Sequence, residues 1–356
     1  MSAVRSLLAG AEERFLAPMI TSRTPALWRA LYAGASSPFF LGGRASRWEI
    51  ALEHGPVRVM GVGPRKRLEA LRRITGPLGA GEPAGAFGAS RWDPAPYANE
   101  SADLIAVAIH PAAAGRFRRA GWLIMPDVVR WEGELDAVPP ARPCRSLRHD
   151  FNRIERFGAA VEATRTPGDW EEFFAEMVEP QAAGRFGESA WLPRPPFRRR
   201  LIRRGTLLFL ARRGTRVAGI ALLPCSRERI WIPLIATRGG DPALLAEGAM
   251  AAAISSAMTW ARNQGYRTVD GGRTSSLIRD GVHVNKMKWG YRSIPDPMAH
   301  LLALRVDPAC APLAAALAQE PFLHYGRAGL EQLAVTPPPA HSESAPPSLA
   351  ASDRAG

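Results

Sequence analysis

The stretch from Thr206 to Asp270 leaves a folding chain few options. Residues 206–212 (TLLFLAR) and 216–223 (RVAGIALL) are strand-length apolar runs on either side of a turn at Gly214, which predicts an antiparallel hairpin. A third strand, Arg229 to Ala236, ends at Thr237-Arg-Gly-Gly-Asp-Pro242. A long Ala-rich helix then spans Ala243 to Gln264, Gly265 closes it, and a strand returns over Tyr266 to Asp270. Strand, long helix and returning strand form a crossover, so at least two strands run parallel in an otherwise antiparallel sheet. The expected class is mixed α/β. Ligands of such units gather at the strand ends and the helix start, which here are Thr237 to Asp241 and Asp270 to Ser275. The apolar run Ala243 to Ala261 contains Glu247 and is mostly Ala, Ser and Met, so it reads as a buried helix and not as a membrane span.

Upstream, residues 145–157 (RSLRHDFNRIERF) put Leu147, Phe151, Ile154 and Phe157 on one face and Arg145, Arg148, Arg153 and Arg156 around the rest. That is a basic amphipathic helix stopped by Gly158. A short strand, Ala159 to Ala163, follows. The turn at Thr166 to Asp169 leads into a helix near Trp170, whose Glu171, Glu172 and Glu176 suit a helix start. After an irregular basic loop, Gly184 to Pro196, a second helix covers Phe197 to Arg204. The breaker cluster Val138-Pro139-Pro140-Ala141-Arg142-Pro143 marks a boundary, giving an N-terminal half at 1–142 and a C-terminal domain at 143–330. The first half shows strand signals at Val57 to Val62, Asp103 to Ile109, Trp122 to Met125 and Val128 to Trp131, a helical spacing over Arg65 to Ile74, and a Gly- and Pro-rich loop from Gly76 to Pro96. Its His54 and His110 stand alone. Residues 331–356 read as a disordered tail, because from Ala334 onward Pro, Ser and Ala dominate without an aromatic residue.

Composition matters at one point. The formal charge is +13, yet of the 46 basic residues only Lys66, Lys286 and Lys288 are lysine and the other 43 are arginine. So general a preference for Arg makes the charge weak evidence for nucleic acid, and it makes a lysine informative. Cys144, Cys225 and Cys310 are isolated and odd in number, which predicts neither a disulfide framework nor a metal site and fits a reducing, cytoplasmic setting. Glu12, Glu13 and Arg14 interrupt the N-terminal apolar run before it reaches signal-peptide length.

The chemically richest stretch is 268–290. Asp270, Gly271 and Gly272 let the chain leave its strand in a turn whose N–H groups can approach a ligand, and Arg273 adds a guanidinium suited to carboxylate or phosphate. Val282 to Lys288 alternates as a strand, with His283, Asn285 and Met287 on one face and Val284, Lys286 and Lys288 on the other. A compact ammonium with a readily shifted pKa is the reason to write Lys at 286 in an Arg-rich protein.

The segment from about Leu147 to Ile294 resembles the Fem-type branch of the GNAT acyltransferase superfamily, specifically the GNAT-like acetyltransferase domain found beside exopolysaccharide and cell-envelope genes. The matching residues are the helix Arg148 to Gly158, Asp270-x-Gly272-Arg273-Thr274, and Asp280-Gly281 followed by Lys286-x-x-Trp289-Gly290. The resemblance implies two GNAT-like halves in tandem, each a mostly antiparallel sheet flanked by helices. It also implies transfer of an acyl or aminoacyl group from a thioester or aminoacyl-tRNA to an amine. The GNAT acyl-CoA signature before the long helix is replaced by Ala236-Thr-Arg-Gly-Gly-Asp-Pro242. Arg238, Gly239 and Gly240, with Gly272 and Arg273, are the candidate groups for acetyl-CoA or another acyl-CoA, although Asp241 and Pro242 subtract a charge and an N–H.

Aminolysis needs a neutral amine, a held carbonyl and a stabilised oxyanion. Lys286 is assigned to the oxyanion or a donor phosphate, and Asp270 or His283 to the amine's proton. No metal is expected. The acceptor would be a small-molecule or sugar-linked amine, with an envelope or polysaccharide precursor as its expected carrier. Two competing expectations remain: an aminoacyl-tRNA-dependent transferase using the arginines of 145–156 and 194–204, and a non-enzymatic basic binding module. The second lacks the interleaved exposed aromatics used to stack bases.

Overall fold

The structure, a computed structural model, describes residues 44–333 apart from 53–54, 64–67, 69–70, 77–81, 87–88, 187–191, 298 and 327–328. Residues 1–43, half of the expected helix at 65–74 and all but the first three residues of the expected tail lie outside the described residues, while Leu68, Leu71 and Ile74, which carry that helical spacing, are described and buried.

The chain begins with a hairpin, β1 (Arg44–Leu52) and β2 (Gly55–Val62), a short α1 (Arg72–Thr75) and β3 (Glu82–Ala86), followed by β4 (Leu104–Ile109), α2 (Ala114–Arg119), β5 (Leu123–Pro126) and β6 (Val128–Glu134). Next come α3 (Arg145–Phe157), β7 (Ala160–Thr164), α4 (Pro167–Phe173), a π turn at Phe174–Val178, α5 (Glu179–Phe186) and α6 (Pro195–Arg204). Strands β8 (Thr206–Arg212), β9 (Thr215–Pro224) and β10 (Arg229–Thr237) lead to α7 (Pro242–Glu247), α8 (Ala249–Asn263) and β11 (Thr268–Ser275). The last elements are α9 (Gly281–Lys288), β12 (Arg292–Ile294), β13 (Leu301–Val306), α10 (Ala311–Gln319) and the small hairpin β14 (Leu323–Tyr325) and β15 (Leu330–Gln332).

These strands form two large sheets, ordered β3-β1-β2-β4-β13-β5 and β12-β6-β11-β10-β9-β8-β7. The architecture is mixed α/β, antiparallel-dominated and flanked by helices, as the pattern predicts. Among the described residues each sheet holds one parallel pair, β2 with β4 and β10 with β11. The sheets exchange strands across the 138–143 segment: β6 precedes it yet pairs with β11 and β12, while β13 follows it yet lies between β4 and β5.

Strand β8 shows why its sequence is apolar without alternation. Leu208 and Leu210 face α3 and α8, where Leu147, Phe157, Ala253 and Ala257 meet them, and Leu207 and Phe209 face Trp170, Phe173, Phe174 and Leu201 on the other side. A strand covered on both faces has no polar side. Helices α3 and α6 therefore cover opposite faces of the second sheet, so the two arginine clusters do not form one surface.

Two local expectations are corrected. The helix expected over 243–264 is broken at Gly248, whose φ of 102° ends α7, and a Cβ there would stand 3.0 Å from Arg153 Cβ on α3. A glycine free to take the left-handed conformation and the close approach of α3 together account for the break. The expected loop Gly76 to Pro96 contains edge strand β3, held to β1, and two short helical turns.

Candidate functional site

Strands β10 and β11 pair at Arg229↔Thr268, Ile230↔Val269 and Trp231↔Asp270, and then part. Each keeps its outer neighbour: β10 follows β9 to Thr237↔Ala218, and β11 follows β6 to Ser275↔Val128, with a bulge between Asp270 and Gly272. At Gly272 the strands still nearly touch, since a Cβ there would lie 3.4 Å from Trp231 Nε1 and 3.7 Å from Ile232 O. Beyond it the two strands no longer pair, which leaves one edge of β10 without a neighbouring strand.

Asp270 sits at the last paired position, where the strands part, with no exposed surface. Arg130 donates to its Oδ2 from Nε at 2.7 Å and also through Nη2, Arg229 Nη2 donates to the same oxygen at 3.1 Å, and Oδ1 accepts from Gly272 N–H at 2.9 Å. Burial opposes the charge on Arg130, but Asp270 outweighs it and raises the guanidinium's pKa. A general base needs a lone pair aimed at substrate. Both oxygens of Asp270 are engaged, which suits a residue that fixes the turn and the strand junction.

The strand expected over 282–288 is the helix α9. Asp280 caps it, its Oδ1 accepting from Val282 N–H at 2.9 Å and His283 N–H at 3.3 Å. The alternation misleads because the apolar members Val282, Val284 and Met287 are solvent-exposed, so the pattern does not report burial. The helix puts His283 and Lys286 on one side instead of opposite faces. His283 is 2% exposed, lies edge-on to Trp131 with ring centroids 4.6 Å apart, and its Nδ1 is 3.3 Å from Ser275 O. Burial lowers its pKa below the ordinary histidine value, against the opposing hydrogen bond to Ser275 and charge of Asp280. Lys286 Nζ donates to Arg273 O at 3.3 Å, on β11 just past Gly272. Burial pushes its pKa down to about 8, while Asp270 and Asp280 pull the other way.

Other expected site residues lie elsewhere. Lys288 pairs with buried Asp150 and joins α9 to α3. The Arg273 guanidinium grips Asp296 through both Nε and Nη2, the latter at 2.8 Å. Arg238 donates to Arg216 O at 2.6 Å and to Glu172, with Glu176 3.6 Å away, which ties it to β9, α4 and the π turn. Asp241 caps its own helix by accepting from Ala243 N–H at 2.7 Å. The structure thus brings Asp270, Gly272, His283, Lys286 and the Arg273 backbone together. The Arg238 to Gly240 turn stands apart on the far end of β10. Arg130, Arg229, Trp131 and Asp296 escaped the sequence reading, because each acquires its role only through strand pairing or a loop from a distant part of the chain. Among the described residues no group of three or more His, Cys, Asp or Glu is placed to hold a metal, and no helix is long and apolar enough to cross a membrane.

No family model and no curated protein matches the chain. Solved structures do, at low identity. The C-terminal domain of a protein described as a lysylphosphatidylglycerol synthetase, from Agrobacterium fabrum, matches at 15% identity, covering 88% of this chain and 97% of that one with a TM-score of 0.39. FemX matches at 11% identity over 76% of this chain and 90% of its own, TM-score 0.38. A GCN5-related N-acetyltransferase from Anabaena variabilis matches at 13% identity over 82% and 71%, TM-score 0.30. These are likenesses in chain course.

Proposed function

We propose that the chain is an acyl-group transferase that passes an acyl or aminoacyl group from an activated carbonyl donor to an amine at the point where β10 and β11 part. The observation that carries this reading is Lys286, a rare lysine held beside the parted strands with its pKa brought down to about 8. A desolvated ammonium at that point would stabilise the oxyanion that forms as the amine attacks. Asp270 is committed to two guanidiniums, which leaves His283 to accept the amine's proton: with Nδ1–H assigned to Ser275 O, its neutral Nε2 carries the free lone pair. Arg130, Asp270 and Arg229 position the junction.

The first donor class is an acyl-CoA such as acetyl-CoA, and the acceptor class an amine, free or sugar-linked. A second reading, an aminoacyl-tRNA donor, is favoured by one observation: Arg238, expected to meet a CoA diphosphate, is already paired with Glu172 and Glu176. Exposed Arg145 and Arg148 on α3, which line a groove of about 420 Å³, and exposed Arg156, which with Arg212 lines a second one of about 340 Å³, would receive its phosphates instead. Thioester release by the wild type and Lys286→Ala, alongside salt-dependent tRNA binding, separates these. Lys286-dependent turnover of acyl-CoA supports the first donor; no release with steep salt-dependent tRNA binding supports the second. Full turnover by a folded Lys286→Ala variant sinks the assignment of the lysine.

A further inference from the structure

The two edges of β10 are finished differently. One edge ladders with β9 as far as Thr237↔Ala218, and the other loses β11 after Trp231. Along a strand the N–H and C=O groups of alternate residues point to the same edge, so Ile235 and Thr237 point together. Thr237 N–H donates to Gln181 Oε1 at 2.9 Å, and Gln181 Nε2 donates to Ile235 O at 3.2 Å. Thr237 Oγ1 donates to the same Oε1 at 3.1 Å. Because the one N–H of Thr237 is used here, it points away from β9, which puts Gln181 on the edge that β11 has vacated.

The pattern is specific. In a parallel ladder, one residue of the neighbouring strand donates to the carbonyl before its opposite number and accepts from the N–H after it. The Gln181 carboxamide does both, opposite Ala236. It stands where the next residue of a parallel strand would be. Its backbone is set by α5, which starts after the extra residue of the π turn, and Gly240 lies against it, where a Cβ would be 2.8 Å from Gln181 Cα.

We infer that Gln181 is a specificity-determining residue of this edge, a displaceable stand-in for a strand. A donor whose arm carries secondary amides, as the pantetheine of an acyl-CoA does, takes its two hydrogen bonds to β10 from Gln181. A donor that presents only an amino-acid ester leaves Gln181 in place. The inference rests on this edge being the donor site.

Titration calorimetry on the full chain tests it with two probes: CoA, and adenosine 3′,5′-bisphosphate, which lacks the amide-bearing arm. Removing the competitor in Gln181→Ala should tighten CoA binding by about tenfold, on the scale of the hydrogen bonds relieved, and leave the bisphosphate unchanged. Gln181→Glu accepts from Thr237 but has no N–H for Ile235, and should fall between; circular dichroism verifies that both variants are folded. Equal or weaker CoA binding by folded Gln181→Ala overturns the inference while leaving the acyl-CoA donor standing. Absence of CoA binding by all three proteins overturns the acyl-CoA donor itself, and the inference with it.

Discussion

In the first sheet β2 and β4 run parallel up to Val62↔Val107, and one residue later Ala108 O accepts from Arg91 Nε at 2.8 Å, a side chain only 1% exposed. In the second sheet β10 and β11 run parallel up to Trp231↔Asp270, and the vacated edge is covered by half-buried Gln181. One parallel joint is sealed by a buried guanidinium on a backbone carbonyl. The other is covered by a neutral amide that neighbouring water or ligand can replace. Asp270, His283 and half-buried Lys286 cluster at the second joint, whereas the first has buried Arg91 and His110 at its end and is otherwise lined by Val57, Val59, Ile105 and Val107. A sheet that gathers charge at an open joint is equipped for chemistry; one that seals the joint is equipped to hold the fold.

The largest effect that could break this contrast is at Lys286. Lys286→Ala should lower acyl transfer by roughly 100- to 1000-fold, the scale of losing one oxyanion-stabilising group, without lowering the denaturation midpoint at neutral pH, where the desolvated ammonium costs the fold stability. At the sealed joint, Arg91→Met should cost roughly 3 kcal/mol in urea unfolding, because a buried carbonyl loses its donor and the surrounding packing loses a large side chain. Unaltered stability there would remove the structural role. Lys288→Ala leaves buried Asp150 without its ammonium, so about 2 kcal/mol of stability should be lost while transfer persists, separating two lysines two residues apart.

A further effect is one of pH. With Lys286 brought down from 10.5 to about 8 by burial, the unfolded chain holds a proton between about pH 8 and 10.5 that the folded chain has released. Stability therefore rises with pH through that window, and Lys286→Met should remove that slope. Transfer, if it uses the ammonium, should decline as pH rises through about 8. A flat rate profile across that range would show that the charge is not used.

Much of the architecture is written locally. Helix α3 occupies the residues its amphipathic spacing picks out, and the β8–β9 hairpin and the crossover to β11 follow from apolar run length and glycine turns. Helix α9 is legible only to a reader who gives Asp280 and Gly281 priority over the alternation that follows, since the cap donates no hydrophobicity signal. Gln181, Arg91, Arg130 and Arg229 carry no local signature at all. Each is an ordinary polar residue whose meaning lies in a strand edge more than a dozen residues away.

The exchange of β6 and β13 sets the order of events on a ribosome. The first sheet cannot place β5 until residues 301–306 have emerged to fill the slot between β4 and β5, and the second sheet must recover β6 from chain made long before its other strands. Neither half can finish early and wait for the other. A cut at residue 142 would leave each fragment with an unfilled strand position, so the two should be soluble together and aggregate apart.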